Sequence, residues 1–151
     1  MIRKFSFFLA LLVMGGLTSS ISRAADVTVW VINGNTGQPF IRYPIKLYAA
    51  DRVLYPHENT HLLAKADPGP DGSATFHLDP PLPEVLFIYV GDLSRTVGCN
   101  TNLNFLTNEV LRSGIVSRNI CDRKNKLKLK FSAKPGEVVV FLRKKTFFDD
   151  L

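Results

Sequence analysis

The sequence predicts an all-β protein, a sandwich of seven to eight strands with one short helix in a disulfide-closed loop. Seven short segments are rich in β-branched and aromatic residues, which favour strands. Clusters of Gly, Pro, Asn and Asp separate them, and these residues favour turns. Many short strands in this arrangement are typical of two packed sheets. One segment, between Cys99 and Cys121, departs from the pattern and holds the signals of a helix.

The seven predicted strands differ in the exposure they should have. Pro44 stands near the start of the second strand and indicates an edge position, because proline cannot donate a ladder hydrogen bond. The fifth strand is apolar throughout, which predicts a central position with both faces covered. The turn at 67–72 predicts a hairpin between the third and fourth strands. The predicted strands are Val27–Ile32, Tyr43–Tyr48, His61–Ala66, Ser73–Leu78, Val85–Val90, Lys126–Phe131 and Val138–Leu142.

The sixth predicted strand has the sequence KLKLKF, in which apolar and basic residues alternate strictly. Its apolar residues are predicted to face inward and its three lysines outward. The lysine row could meet an acidic glycan or a membrane surface. A solvated strand face that discourages edge pairing is the simpler interpretation.

The first 24 residues have the features of a secretory signal peptide. Arg3 and Lys4 precede a short apolar core, and Ser22 and Ala24 supply the small residues of a cleavage site. Cleavage removes three of the 19 basic residues and none of the 13 acidic ones, so the net charge falls from +6 to +3. Such a charge does not indicate a nucleic-acid partner. We expect a periplasmic or secreted protein with no membrane span after cleavage.

Cys99 and Cys121 are the only cysteines of the chain. In an oxidising compartment a disulfide between them is the default, and closing such a loop stabilises the fold by roughly 3 kcal/mol in the chain-entropy model. A zinc site or a redox couple is disfavoured, because neither a CxxC spacing nor a nearby histidine accompanies the cysteines. We predict a structural disulfide within one β-sandwich domain at 25–143, which a tail at 144–151 follows.

The segment between the cysteines predicts one helix, at Asn108–Ser113. Thr107 is placed to cap its N-terminus, and Gly114 fits a left-handed residue just past its end. Glu109 lies in the first turn and Arg112 in the last, where each charge favours the helix dipole. A helix of this length is not stable alone in water, so it must dock on the sandwich.

Two places in the chain are predicted as possible contact surfaces. The first is the exposed side of this helix, with Asn108, Glu109 and Arg112. The second is the tail, where Phe147 and Phe148 follow the last predicted strand.

Five aromatic residues of the predicted strand region could form a platform for a sugar or a small ligand. The strand pattern around them makes the core the simpler interpretation for most of them. They are Trp30, Tyr43, Tyr48, Phe87 and Tyr89.

The segment His57–His61 matches the pattern HExxH. On a helix the two histidines would share one face and could bind zinc, while Glu58 would activate a water molecule. Asn59 and Thr60 are poor helix formers, and the third ligand would have to be a residue without a distinctive spacing. A polar loop that enters a strand is the simpler interpretation, and we expect no cofactor. The candidate third ligands are His77, Glu84 and Glu109.

Two short motifs resemble a known family. Thr36–Pro39 followed by Ile45–Tyr48 resembles the TGxP…VxLY opening of transthyretin-like and carboxypeptidase-regulatory-like domains, and Asp71–Phe76 resembles their DGxAxF hairpin. The resemblance implies a seven- or eight-stranded prealbumin-like, or more broadly immunoglobulin-like, sandwich with a short helix between its fifth and sixth strands. Such domains are often non-catalytic binding modules, spacers or stabilising appendages. Their enzymatic branch, 5-hydroxyisourate hydrolase, ends in Tyr-Arg-Gly-Ser, whereas this chain ends in FFDDL.

We therefore expect an exported, non-catalytic module that binds or supports another extracytoplasmic component, either a protein or a glycan. A small zinc hydrolase that uses His57, Glu58 and His61 is one alternative. A carbohydrate-binding module that uses exposed aromatic residues is the other.

Overall fold

The computed structural model describes residues 23–50, 60–91, 96–100, 103–122, 127 and 131–146, which form two β-sheets and one short helix. Within that part of the chain the elements follow one another as nine strands, with the helix after the seventh. They are β1 (Ala25–Asn33), β2 (Ile45–Ala50), β3 (Thr60–Ala66), β4 (Ser73–Leu78), β5 (Val85–Val90), β6 (Thr96–Gly98), β7 (Asn104–Leu106), α1 (Thr107–Ser113), β8 (Ile115–Val116) and β9 (Glu137–Lys144).

The strands divide into two sheets. Sheet I has the order β4-β1-β9-β6, and β8 also pairs with β9 beside β6. Within it β1 and β9 are parallel, with Val29 opposite Val138. Sheet II has the order β3-β2-β5-β7, and its neighbouring strands are antiparallel.

The main core lies between the inner faces of the two sheets. Along β1, Val27, Val29 and Val31 are fully buried, while the residues between them are half-buried. This period of two is expected of a strand with one face against a core. In sheet II, Leu47 and Ile88 face the same core from neighbouring strands. The predicted β-sandwich is therefore confirmed in its two-sheet architecture.

Two predictions about strand pairing are wrong. The second strand is not at an edge, because β2 pairs with β3 on one side and β5 on the other. Pro44 precedes this strand, which begins at Ile45, so its missing N–H costs no ladder bond. The third and fourth strands form no hairpin, because β3 lies in sheet II and β4 in sheet I. The turn between them connects sheet II to sheet I.

The predicted helix is confirmed, with a different start. It covers Thr107–Ser113, its N-cap residue is Leu106, and no side chain caps it. Thr107 is not the cap because its backbone N–H donates to the Glu84 carbonyl at 2.9 Å and its side chain is buried. Val110 is fully buried in the main core, so the helix docks on the sandwich as its length requires.

The segment between the cysteines also contains two strands that the sequence does not indicate, β7 and β8. They have three and two residues, too few for a period of two to be visible. Of the predicted strand Lys126–Phe131, only Leu127 and Phe131 are described, and neither is in a strand.

Candidate functional site

A disulfide joins Cys99 and Cys121, as predicted, with their Cα atoms 5.2 Å apart. Cys99 is fully buried on the outer face of sheet I, where it packs with Ile32, Val139 and Phe141. The disulfide therefore holds both ends of the segment against the outer side of the sandwich.

A single asparagine completes the edge of β9 beside this disulfide. β8 pairs with β9 up to Val139 and β6 from Leu142 onward, so Phe141 lies between the two pairings. The Asn100 side chain fills the interval: its Nδ2 donates to the Phe141 carbonyl at 2.7 Å, and its Oδ1 accepts from the Phe141 N–H at 2.8 Å. The amide thus acts as one more peptide group of the sheet.

A second asparagine connects the segment to the turn after β1. The Nδ2 of Asn119 donates to the Gly34 carbonyl at 2.8 Å, and its Oδ1 accepts from the Cys121 N–H at 3.0 Å. A Cβ on Gly34 would lie 2.8 Å from both the Cys99 Sγ and the Asn119 Oδ1. The turn and the disulfide are therefore in close contact.

A groove of about 410 Å³ lies on this outer face of sheet I. Its floor is formed by β1 and β9, one wall by the turns after β1 and before β4, and the other wall by residues 131–134. Its lining is apolar and aromatic in the floor and ionisable at the rim. The lining residues are Trp30, Ile32, Gly37, Pro39, Asp71, Phe131, Ser132, Lys134, Glu137 and Val139.

The first wall begins with a turn that hydrogen bonds close on themselves. Asn33 Oδ1 accepts from the N–H groups of Asn35 and Thr36, and the Asn33 carbonyl accepts from Gly37 N–H. Gly37 has φ 74°, which favours glycine. Pro39 then forms a bridge with Ile32. This geometry is local and corresponds to the turn that the sequence predicts.

The second turn of this wall carries a carboxylate. Asp71 Oδ1 accepts from the Ser73 backbone N–H at 3.0 Å and from its hydroxyl at 2.9 Å. These hydrogen bonds lower the pKa of the Asp71 carboxyl below its usual value, so the group is an anion near neutral pH. Gly72 has φ 82°, and a Cβ there would lie 3.1 Å from Pro39 Cβ. The two turns therefore pack against each other.

The opposite rim carries charges of both signs. The Lys134 backbone N–H donates to Glu137 Oε2 at 2.8 Å, and the Glu137 N–H donates to the Lys134 carbonyl at 2.9 Å. Phe131 packs edge-on against Phe141, with ring centroids 5.5 Å apart, and this contact joins the wall at residues 131–134 to the sheet. The groove thus has an apolar floor between a lone carboxylate and a Lys–Glu turn.

A second groove, of about 370 Å³, runs beside the helix. Asn108, one of the predicted contact residues, lines it together with Leu82, Leu106 and Leu111. Glu109 and Arg112 are exposed on the same helix but do not line the groove. The predicted helix surface is therefore accessible. Phe147 and Phe148, the other predicted contact residues, lie outside the described residues.

Only part of the HExxH match can be placed. Residues 57–59, with His57 and Glu58, lie outside the described part, whereas His61 lies in β3 and is exposed. His61 is therefore in a strand and not in the helix on which such a motif places its two histidines on one face. Within the described ranges, no group of three or more His, Cys, Asp or Glu residues has the arrangement of a metal site. No three of the described candidates His61, His77, Glu84 and Glu109 therefore form such a group.

His77 has a partner of its own at the edge of sheet I. Its Nδ1 is 2.8 Å from Asp26 Oδ1, and its Nε2 is 3.7 Å from Asp79 Oδ1. The hydrogen bond to Asp26 raises the pKa of His77 above 6.5. The protonated imidazole therefore stabilises the folded state fully at a pH below 6.5, the pKa in the unfolded chain. This stabilisation is lost as the pH rises through the higher pKa of the folded state.

We expect Asp26→Asn to return the pKa of His77 towards 6.5, as measured by an NMR titration of the imidazole. The loss in melting temperature that this variant causes should be larger at about pH 5.5 than at about pH 8. Asp79→Asn is the matched control, because its carboxylate is farther from the ring. A larger effect of Asp79→Asn than of Asp26→Asn would contradict the assignment.

The aromatic residues occupy three different environments. Tyr43 packs against the main core and stacks on Phe40. Trp30 lies on the outer face of sheet I, in the groove. The remaining three alternate with core residues in β2 and β5 and are half-buried on the outer face of sheet II. The prediction that most of the five aromatic residues lie in the core is therefore wrong for these three. These are Tyr48, Phe87 and Tyr89.

The groove contains residues that the sequence does not single out, among them Ser132, Lys134 and Glu137. No local signal marks them, because their neighbours in the groove come from distant parts of the chain. No helix of the described ranges is long and apolar enough to cross a membrane. Comparisons with protein-family models, with curated proteins and with solved structures gave no match.

Proposed function

We propose that this protein is an exported, non-catalytic β-sandwich module that binds a segment of another extracytoplasmic protein. The observation that carries the proposal is the groove on the outer face of sheet I, with its apolar floor and charged rim. Concave sites with apolar linings and a few placed polar groups are the usual form of binding sites. Export is supported by the leader sequence, and the Cys99–Cys121 disulfide is consistent with an oxidising compartment.

The groove fits a peptide segment in its chemistry. The faces of Trp30, Ile32 and Val139 offer an apolar floor to one side chain. The Asp71 carboxylate can accept hydrogen bonds from one side, and the Lys134 ammonium can donate from the other. A peptide supplies donors and acceptors at short intervals along its backbone, so both rims can be satisfied by one extended segment.

The proposal extends to the class of the sandwich, which we assign as prealbumin-like. The two motifs that resemble this family are in contact, because Gly72 lies against Pro39, and both motifs line the groove. In an immunoglobulin constant-type sandwich the first and second strands share one sheet and the third strand lies in the other. Here β2 and β3 share sheet II and β1 lies in sheet I, which favours the prealbumin-like assignment.

The test fills the groove and leaves the sandwich intact. Peptides are selected from a displayed random library on the immobilised mature protein, and their affinities are then measured for Ser132→Trp. Ser132 is exposed at the groove wall, so an indole there would occupy the groove without burying a new group in the core. We expect the selected peptides to bind this variant at least about tenfold more weakly.

Ser132→Ala is the matched control and should bind the peptides like the parent protein. Equal peptide affinities for the parent protein and Ser132→Trp would refute the groove as the site. Hydrolysis of a substrate by the pure protein, abolished by a single side-chain change, would refute the non-catalytic assignment.

A further inference from the structure

We propose a second binding site, for an acidic polysaccharide, on the outer face of sheet II. This site lies on the opposite side of the sandwich from the groove and does not depend on the function proposed for the groove. The face presents tyrosine rings that can stack on sugar rings, beside two lysines that can meet the carboxylates of the sugars.

The strand register places these side chains in two adjacent rows. In the first row Tyr48 of β2 stands opposite Phe87 of β5 and Leu62 of β3. In the second row, the lysine row, Lys46 of β2 stands opposite Tyr89 of β5 and Lys65 of β3. Adjacent strands are about 4.8 Å apart, and residues i and i+2 of a strand are about 7 Å apart. Both rows therefore fit within the span of two or three sugar rings.

The first row is aromatic at its centre. The rings of Tyr48 and Phe87 have centroids 5.8 Å apart and an interplanar angle of 39°. Tyr48 is half-buried, so part of its side chain remains accessible on this face. Leu62, with 46% of its surface exposed, extends the apolar row to the edge strand. A low, wide apolar surface of this kind suits the C–H face of a sugar ring, and the Tyr48 hydroxyl adds a donor and an acceptor.

Among the residues that the structure describes, the positive charge of the lysine row has no local counter-charge. Lys46 and Lys65 are directly opposite each other on one face, an arrangement that is unfavourable for like charges. The Lys46 Nζ lies 5.4 Å from the centre of the Tyr89 ring, which partly offsets the repulsion. In the described ranges no carboxylate is within 4.0 Å of either ammonium. An anionic ligand would remove the repulsion, so charge complementarity favours one.

The same geometry disfavours a membrane, and also a peptide that binds by adding a strand. β2 and β5 each have hydrogen-bonded strands on both sides, so their backbone groups cannot pair with an added peptide strand. Membrane insertion needs apolar side chains that project, whereas the aromatic residues at the centre of this face are half-buried. A polysaccharide needs only ring faces, hydroxyl partners and cations, all of which the face presents.

The test titrates the mature protein with polygalacturonate, with dextran as the neutral polysaccharide. We expect binding to polygalacturonate alone, weakening as the salt rises from about 50 mM to about 300 mM. Lys46→Gln combined with Lys65→Gln should weaken binding at least about tenfold, and Tyr89→Ala should do the same. Lys144→Gln, an exposed strand lysine of sheet I, is the matched control and should bind like the parent protein.

Folding of each variant is checked by its melting temperature, and Tyr48→Phe, which keeps the ring, should retain most of the binding. Ser132→Trp should leave polygalacturonate binding unchanged, which separates this site from the groove. Three results would overturn the proposal: equal binding of dextran and polygalacturonate, no effect of the face variants, or binding of polyglutamate or anionic phospholipid vesicles through the same residues without binding of polygalacturonate.

Discussion

A Gly114→Ala variant is expected to unfold with a free energy about 3 kcal/mol lower than that of the parent protein. Gly114 ends the helix with φ 68° and ψ 163°, a region that is essentially restricted to glycine. A Cβ at this position would also overlap the Lys134 carbonyl oxygen and lie 2.9 Å from Ala133 Cβ. The overlapping atom belongs to the backbone, so the chain itself would have to move.

The same substitution also has a stabilising effect, through the unfolded chain, which is smaller. Replacing glycine by alanine restricts the unfolded chain and stabilises the folded state by about 0.4–1 kcal/mol where the native conformation permits alanine. Backbone strain and overpacking each cost about 1–3 kcal/mol. The two costs together exceed the entropic gain, so the net change is a loss of stability. The movement of the chain would also displace the rim of the groove, because Lys134 lies there.

Equilibrium unfolding in urea measures the effect, and Gly98→Ala is the matched control. Gly98 has no atom within 4 Å of an added Cβ, and its φ is outside the range that strains other residues. Its substitution should change the free energy of unfolding by less than about 0.5 kcal/mol. Equal stabilities of the two variants would contradict the close contact between Gly114 and Lys134.

Gly114 also shows what sequence signals can and cannot predict. A glycine after a short helical pattern predicts the end of the helix, and the helix ends there. The left-handed conformation expected of this glycine is not the observed one: φ is positive, but ψ is extended. The space for a side chain here is closed by Lys134, a residue 20 positions away whose proximity no local pattern indicates.

The strands show the same difference between what local signals predict and what depends on distant residues. Strand positions follow from a period of two and from turn residues, so β4 and β5 were predicted with the bounds they have. Pairing depends on which sheet a strand joins, which is a property of the whole chain, and the placement of β3 and β4 in different sheets was not predicted. The Asn100 amide that completes β9 could not be predicted either, because its partner Phe141 is 41 residues away.

The two proposed sites differ in how far the sequence indicates them. The tyrosines of the outer face were identified as a possible platform, and the alternation in β2 and β5 places them opposite the core side. The sequence does not indicate the groove, because its floor and walls come from three separate stretches of the chain, 30–39, 71 and 131–139. Its wall is braced by contacts between Gly34, Cys99 and Asn119. The disulfide therefore supports the groove as well as the fold.

Replacing both cysteines by alanine is expected to lower the free energy of unfolding by about 3 kcal/mol. The cysteines are 22 residues apart, and opening a loop of this length releases conformational entropy in the unfolded chain. The Asn100 and Asn119 hydrogen bonds remain in the variant, so the segment keeps its native attachment. For a domain of this size the loss corresponds to a decrease in melting temperature of roughly 10 °C.

Thermal unfolding with and without a reductant provides the control. The reduced parent protein should unfold at nearly the same temperature as the double variant, and the reductant should not change the double variant. The groove gives a second readout, because Cys99 contacts Gly34 in the adjoining turn. Peptides selected on the oxidised protein should therefore bind more weakly after reduction, at a temperature where the fold persists. An unchanged melting temperature after verified reduction would show that the attachment of this segment does not depend on the disulfide.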